Sequence, residues 1–347
     1  MEQELIERVK QATATRTPLC IRGGGSKAFY GRHCDGALLE VSGHRGVVSY
    51  APSELVITAR AGTPLAEIEA LLARHNQMFS FEPPHFSPQT TLGGMVAAGL
   101  SGPRRPWGGS VRDAVLGVKL INGRGEVLRF GGQVMKNVAG YDLSRLMVGA
   151  LGTLGVLLEV SLKVLPRPAE ERTLAFELDA DQAAARQIEW GRLPLPLSAT
   201  LHQAGQLHVR LCGSGQGVRA ALDTMGGEET SDRLWTDVRE QTLAFFQSAG
   251  PLWRISLPAA APALNLPGEI LTEWGGALRW LQSGLPAEVL RQQVSALGGH
   301  ATLFRGHDGR GEVFQPLPPA LMALHRRVKQ SLDPHGLFNP GRLYAGL

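Results

Sequence analysis

The chain has 347 residues, 43% of them hydrophobic, with 35 basic against 31 acidic side chains and a formal net charge of +4. That length allows roughly two domains at about 150 residues each. The interspersed charges and the 6% aromatic content exclude a polybasic or base-stacking nucleic-acid binder, and no run of about 18 apolar residues offers a membrane span.

In chain order, the apolar run Leu19-Cys20-Ile21 leads into Arg22-Gly23-Gly24-Gly25-Ser26. Segments 38–41 and 55–59 are apolar and β-branched, which predicts strands. Thr63-Pro64 predicts a helix start, with Thr63 as cap and Leu65, Ile68, Leu71 and Leu72 as its buried stripe. Segments 115–121 and 126–130 flank Asn122-Gly123-Arg124-Gly125 and predict a hairpin. A short helix over 142–148 and a strand over 156–164 follow. Pro166-Arg167-Pro168 breaks either kind of element and marks a boundary. Beyond it, strand-like runs (173–178, 207–211, 253–257, 301–304) alternate with helical ones (181–190, 232–247, 287–297), as in an antiparallel sheet carrying helices. A last helix over 317–332 ends at Asp333-Pro334-His335-Gly336, and Asn339-Pro340-Gly341-Arg342 makes a second turn. The expectation is an α+β protein with domains over 1–168 and 169–347.

Glycine carries the functional signal. There are 43, and fifteen of them lie between Thr91 and Val160, alternating with strong apolar runs. That pattern reads as backbone making tight turns or approaching a ligand closely, rather than as disorder. Consecutive glycines can turn their N–H groups into an anion-binding nest. Gly23 to Lys27 does not fit the GxxxxGK-[ST] loop of nucleotide hydrolases, and no GxGxxG opens a strand-to-helix turn. Three more clusters follow: 91–102, 108–113 and 149–156. The cluster 91–102, made almost wholly of small residues, is not expected to pack a core by itself but could let a large flat ligand lie against the backbone. Four clusters around one extended, phosphate-bearing cofactor is the more economical reading.

Arg22-Gly23-Gly24-Gly25-Ser26, Thr91-Leu92-Gly93-Gly94, Gly140-Tyr141-Asp142-Leu143, Gly152-Thr153-Leu154-Gly155 and Asn339-Pro340-Gly341-Arg342 resemble the vanillyl-alcohol-oxidase-type (PCMH-type) FAD-binding family. Within it, Glu82-Pro83-Pro84-His85, the segments 102–107 and 131–142, and Glu273-Trp274-Gly275-Gly276-Ala277-Leu278-Arg279-Trp280 are similar to the E-type subunits of bacterial glycolate oxidases. The resemblance implies a PCMH-type FAD domain with a smaller cap domain, residues 333–347 returning to the cofactor. It assigns the FAD pyrophosphate to Arg22, Gly23, Gly24, Gly25, Ser26 and Lys27. Thr91, Gly93, Gly94, Gly99, Ser101 and Gly102 would line the other side of the cofactor. Asp113, Val115, Gly152, Gly155 and Val156 would lie along the adenosine half, with Asn339 near the flavin. Some relatives bond FAD through a histidine near the glycine loop. Ser26 and Lys27 hold that place here, so FAD is expected to be non-covalent, with His33 a little downstream.

The implied activity is oxidation of glycolate to glyoxylate, with electrons passing to a D-type flavin subunit and an F-type iron–sulfur subunit. Alternatives are an autonomous 2-hydroxy-acid dehydrogenase or a non-catalytic FAD-binding assembly subunit. Such chemistry needs a cation for the substrate carboxylate and a base for its hydroxyl. Arg254, Arg279 and Arg305, with Glu273 beside them, are the candidates, and surface ion pairing is the competing reading. His300 and His307 share the seven-residue spacing of a related metal motif but lack its Gly-Asp-Gly-Asn core, so no metal is expected. His85 could face the flavin ring or lie in solvent. Cys20, Cys34 and Cys212 fit neither a disulfide framework nor a CxxC or metal spacing. They read as free, mostly buried thiols of a reduced compartment. The N-terminus lacks a signal-peptide pattern. The expected location is cytoplasmic, with contact to the inner membrane face through partners.

Overall fold

A computed structural model describes residues 1–132 and 141–347. The part of the resemblance carried by residues 133–140 lies outside the described residues. The chain divides into two compact units. The first comprises Met1–Leu100, Ser110–Pro166 and Asp308–Leu347; the second comprises Ser101–Gly109 and Arg167–His307.

The first unit opens with helix α1 (Glu2–Thr15), followed by strands β1 (Leu19–Arg22), β2 (Ala37–Glu40), β3 (Val47–Ala51) and β4 (Val56–Arg60). Helix α2 (Leu65–Arg74), β5 (Gln77–Met78) and helix α3 (Leu92–Ala98) come next, then β6 (Val115–Ile121), β7 (Val127–Gly131), β8 (Val156–Lys163) and β9 (Leu165–Pro166). Five strands form an antiparallel sheet in the order β3-β4-β8-β6-β7. The β6–β7 hairpin turns where the sequence predicts, with Ile121 paired to Val127. Asn122 Oδ1 accepts from the N–H groups of Arg124 and Glu126 across the turn.

The apolar run of β8 is explained by cover on both faces. Val156 and Leu158 join Leu5, Val9 and Ala12 of α1, while Leu157 and Val160 join Leu65, Ile68 and Leu72 of α2. Each of those α2 side chains is fully buried, worth about 1.5–3 kcal/mol apiece. Thr63 does not cap α2. Its hydroxyl donates to Arg60 O at 2.7 Å and accepts from Gly46 N at 2.9 Å, and Pro64 takes the cap position without a side-chain bond.

β1 and β2 pair in parallel, and Leu19 is bridged in parallel to Phe338. The segment between the two strands folds back so that Cys20 and Cys34 are joined by a disulfide, with Cα atoms 6.1 Å apart, inside the usual range for a bridge. This corrects the expectation of three free thiols. A spacing of 14 residues shows nothing until the parallel return of β2 brings its ends together. Cys212 alone is free, with Arg104 Nη1 2.8 Å from its sulfur.

The second unit contains β10 (Glu170–Glu177), β11 (Leu197–Gln203), β12 (Gln206–Gly213), β13 (Glu228–Thr230), β14 (Leu252–Ser256), β15 (Glu269–Glu273), β16 (Leu278–Gln282) and β17 (His300–Arg305). They form one antiparallel sheet in the order β13-β10-β12-β11-β15-β16-β14-β17. Helices Ala180–Trp190 and Gly215–Met225 bury Ala183, Trp190, Val218 and Ala221 against β10 and β12. Helix Ala287–Ala296 buries Leu290 and Val294 against Trp253, Ile255 and Ala301. The helix expected over 232–247 is shorter, Arg233–Glu240. Gln241 takes the left-handed conformation at φ 56° and stops it. Thus the α+β class and the antiparallel second half stand as the sequence predicts.

In the first unit, helix Pro319–Leu332 ends on a buried polar knot. Lys329 Nζ donates to Asp333 Oδ2, Thr153 O and Phe338 O at 2.7–2.8 Å. Asp333 in turn accepts from the N–H groups of Leu337 and Phe338. Burial pushes the Lys329 ammonium below its ordinary pKa, and Asp333 opposes that shift. Removing one partner leaves the other charge buried and uncompensated. D333A is therefore expected to cost about 3–5 kcal/mol of unfolding free energy, read as a lower urea midpoint.

Candidate functional site

A cavity of about 230 Å³ opens in the first unit beside the glycine turn. Its wall runs from Cys20 through Ala28 and includes Thr91, Gly94, Ala97, Ala98, Leu151, Asn339 and Arg342. An adjoining cavity of about 70 Å³ shares Ile21, Gly23, Gly94 and Asn339 and adds Gly93, Gly152 and Gly155. Arg22, Lys27 and Arg342 contribute three cations, and among the described residues no carboxylate side chain belongs to the lining of either cavity. A wall built on three consecutive glycines, whose charged side chains among the described residues are all basic, suits a phosphate-bearing ligand.

Glycine is required in the turn by close approach. A Cβ on Gly24 would overlap Gln89 O, one on Gly23 would overlap Thr91 Oγ1, and Gly25 sits at φ 71°. The turn is anchored by Ser26, whose hydroxyl accepts from Thr90 Oγ1 at 2.7 Å. Lys27 Nζ donates to His85 O at 3.2 Å and lies over the Phe86 ring. The His85 side chain is partly buried, its Nε2 3.1 Å from Glu69 Oε2, rather than free in solvent.

The small-residue run 91–102 begins as a helix that packs into the core together with neighbouring elements. Leu92, Met95 and Val96 of α3 are fully buried in the first unit's core, while Gly94, Ala97 and Ala98 face the cavity. One turn of helical periodicity thus separates a packing face from a ligand face. Thr91 caps the helix, its Oγ1 accepting from Gly94 N at 3.3 Å. Gly93 lets α3 approach Ala61, where an added Cβ would meet the alanine methyl at 2.8 Å. The cluster 149–155 docks on the other end of α3, with Gly149 N bonded to Val96 O and Leu151 N to Ala97 O.

The C-terminal turn closes the site. Asn339, at φ 40°, accepts from Ile21 N at 2.7 Å and donates to Leu151 O at 2.5 Å. Arg342 donates to Arg32 O, Ala28 O and Tyr30 O at 2.6–2.8 Å. Burial first, and then the nearby charge of Arg22, push its guanidinium below the ordinary value. Two guanidinium groups held close enough to oppose one another, with no acid in the wall, leave room for an anion.

Of the sequence-derived cofactor residues, Arg22 to Lys27, Thr91, Gly93, Gly94, Gly152, Gly155 and Asn339 meet at these two cavities. The others are placed differently. Gly99 ends α3 at φ 65° against Gly149. Asp113 closes a capping box with Ser110. Val115 and Val156 are buried strand residues. Ser101 and Gly102 belong to the second unit, where Gly102 O accepts from Trp274 Nε1 at 3.1 Å. Arg342, Ala97, Ala98 and Leu151 were missed as lining. For Arg342 the Asn-Pro-Gly-Arg turn was the available signal.

The proposed catalytic residues lie in the second unit's sheet. Arg254 stands over the rings of Trp274 and Trp280 at 5.2 and 6.0 Å. Buried Glu273 accepts from Trp280 Nε1 at 2.7 Å. Arg279 is committed to packing, its guanidinium donating to Gly276 O, Pro262 O and Ala261 O. Arg305 lies over the Phe304 ring, and burial lowers its pKa. The structure gathers Arg254 and Glu273 around Trp280 and gives Arg279 a separate, structural task. Among the described residues no group of His, Cys, Asp and Glu is arranged to hold a metal, and no helix is long and apolar enough to cross a membrane.

The glycine cradle, the two-unit α+β fold and the C-terminal closure define a FAD-linked oxidase type of flavoprotein. The FAD binding domain family matches residues 1–131, and the C-terminal domain family of FAD linked oxidases matches residues 306–343. The chain is 53% identical over 345 residues to glycolate oxidase subunit GlcE of Escherichia coli, covering 99% of this chain and 98% of that protein. It is 31% identical over 176 residues to glycolate oxidase subunit GlcD of Bacillus subtilis, covering 50% and 37% of the two chains. A D-lactate dehydrogenase of Archaeoglobus fulgidus is 28% identical over 200 residues, covering 56% and 44%. The solved structure of alkyldihydroxyacetonephosphate synthase shares the fold, with a TM-score of 0.67 at 14% identity over 97% of this chain and 75% of that one. The chain belongs to the GlcE family of FAD-linked glycolate oxidase subunits.

G24A tests the cradle. Its methyl must displace the Gln89 backbone, and FAD affinity is expected to fall about a hundredfold, read as flavin absorbance lost on desalting.

Proposed function

We propose that this chain is the FAD-binding subunit of a glycolate oxidase complex, in which glycolate becomes glyoxylate and electrons leave through flavin to partner subunits. Carrying the reading is the acid-free, cationic glycine cavity in a chain alike from end to end to a glycolate oxidase subunit. The backbone N–H groups of Gly23 to Ser26, with Arg22 and Lys27, hold the FAD pyrophosphate, and Arg342, whose donors go to the carbonyls of Ala28, Tyr30 and Arg32, adds its positive charge behind them. Gly94, Ala97 and Ala98 offer the cofactor a flat wall, and Asn339 fixes the edge nearest β1. Bound there, FAD supplies the two-electron acceptor that oxidation of a 2-hydroxy acid needs.

The cofactor is held without a covalent bond. Ser26 and Lys27 offer no imidazole, and His33 is paired with Asp35 at 3.1 Å. The partners are a D-type flavin subunit and an F-type iron–sulfur subunit. With two of its three cysteines bonded to each other, this chain lacks thiolates for a cluster of its own. Association with the inner membrane face would then come through those partners.

Arg342→Met removes the charge and leaves three carbonyls without their donor. It is expected to weaken FAD binding about tenfold or more, measured by fluorescence titration. The subunit role is tested by anaerobic glycolate addition to the FAD-loaded chain. Bleaching of its flavin only after the D-type subunit is added supports the reading. Bleaching of the isolated chain transfers the chemistry to this subunit and overturns the division of labour.

A further inference from the structure

The Cys20–Cys34 bond lies in the wall of the same cavity and has no part in the function proposed above. Cys20 immediately precedes Ile21, whose N–H is bonded to Asn339 Oδ1. Cys34 follows the stretch whose carbonyls, at Ala28, Tyr30 and Arg32, are gripped by Arg342. Its sulfur lies 3.9 Å from the same Asn339 Oδ1. The bond therefore ties the two ends of one segment, 14 residues apart, and all of Gly23 to Lys27 lies between them. Both cysteines are partly exposed, and their neighbours His33 and Asp35 are exposed, so small reagents can reach the sulfur atoms.

A covalent tie across a flexible loop removes open conformations from its ensemble. Glycines have the most conformational freedom to lose on ordering, so a loop held closed beforehand gives up less when a ligand orders it. We infer that Cys20 and Cys34 form a thiol–disulfide exchange site that sets FAD affinity. The closed bond preorganises the cradle, and the dithiol form loosens it. The inference rests on the reading of this cavity as the FAD site.

The reactant class is a small-molecule disulfide. One cysteine thiolate attacks it and expels one small thiol, forming a mixed disulfide. The second cysteine then displaces the remaining small thiol and closes the Cys20–Cys34 bond. Two electrons and two protons thereby pass from the cysteine pair to the small disulfide, which leaves as two thiols; a small dithiol reverses the reaction. By linkage, whatever factor the bond adds to FAD affinity, bound FAD adds to the bond's resistance to reduction.

The test uses the full chain without FAD, equilibrated in oxidised and in reduced dithiothreitol, with thiols counted and FAD binding measured by fluorescence titration. The expected result is one reactive thiol in the oxidised form and three in the reduced form, with the reduced form binding FAD about tenfold more weakly. The double variant Cys20→Ser, Cys34→Ser is expected to bind as the reduced form does and to ignore the redox buffer. The same tenfold, converted for a two-electron couple, means that FAD saturation lowers the midpoint potential of the pair by about 30 mV. Equal FAD affinity of the two wild-type forms overturns the inference and leaves the cavity reading standing, as does a redox response that persists in the double variant. Failure of both forms to take up FAD overturns the cavity reading and the inference with it.

Discussion

The stitching of the C-terminal turn onto the first strand is the constraint on which the site depends. Leu19 exchanges backbone bonds with the C-terminal segment on both sides, its N–H to Leu337 O and its carbonyl from Asn339 N. Asn339 adds Ile21 and Leu151 to the same junction. Arg342 spends its guanidinium on three carbonyls of the stretch that follows the glycine turn. Without that junction the turn would be a mobile loop of residues with little side-chain packing. The Lys329–Asp333 knot lies behind it and fixes where the last helix stops, so the junction begins at a defined place.

A second consequence follows from α3. A ligand wall must be smooth, yet the element carrying it must also belong to the core. The seven-residue helix meets both needs by period: Leu92, Met95 and Val96 anchor it, and Gly94, Ala97 and Ala98 present almost no side chain to the cavity. Glycines inside a helix weaken it by about 1 kcal/mol each relative to alanine. The Thr91 cap and the docking of Gly149 and Leu151 on the helix carbonyls offset that weakness.

Legibility in the sequence follows the range of the interactions concerned. The β6–β7 hairpin, the α2 stripe and the antiparallel second half were readable because local periodicity and turn residues determine them. The glycine turn stood out in the sequence because three consecutive glycines are a local signal. The Cys20–Cys34 bond was not, since it needs the parallel return of β2. Nor was the role of Arg342, whose partners lie more than 300 residues away. Thr63 looked like a helix cap and serves the turn before the helix instead. Arg279 matched the charge expected of a substrate-binding residue, yet three carbonyls consume its donors.

The central claim is that Gly23 to Lys27, with Arg22 and Arg342, forms the pyrophosphate seat of FAD. A crystal structure of the chain soaked or grown with FAD tests it most directly. The account predicts both phosphates against the Gly23–Ser26 backbone, with Arg342 still bonded to Ala28 O and Tyr30 O. FAD bound with its phosphates away from that turn, or with the turn displaced from Thr91, would contradict it.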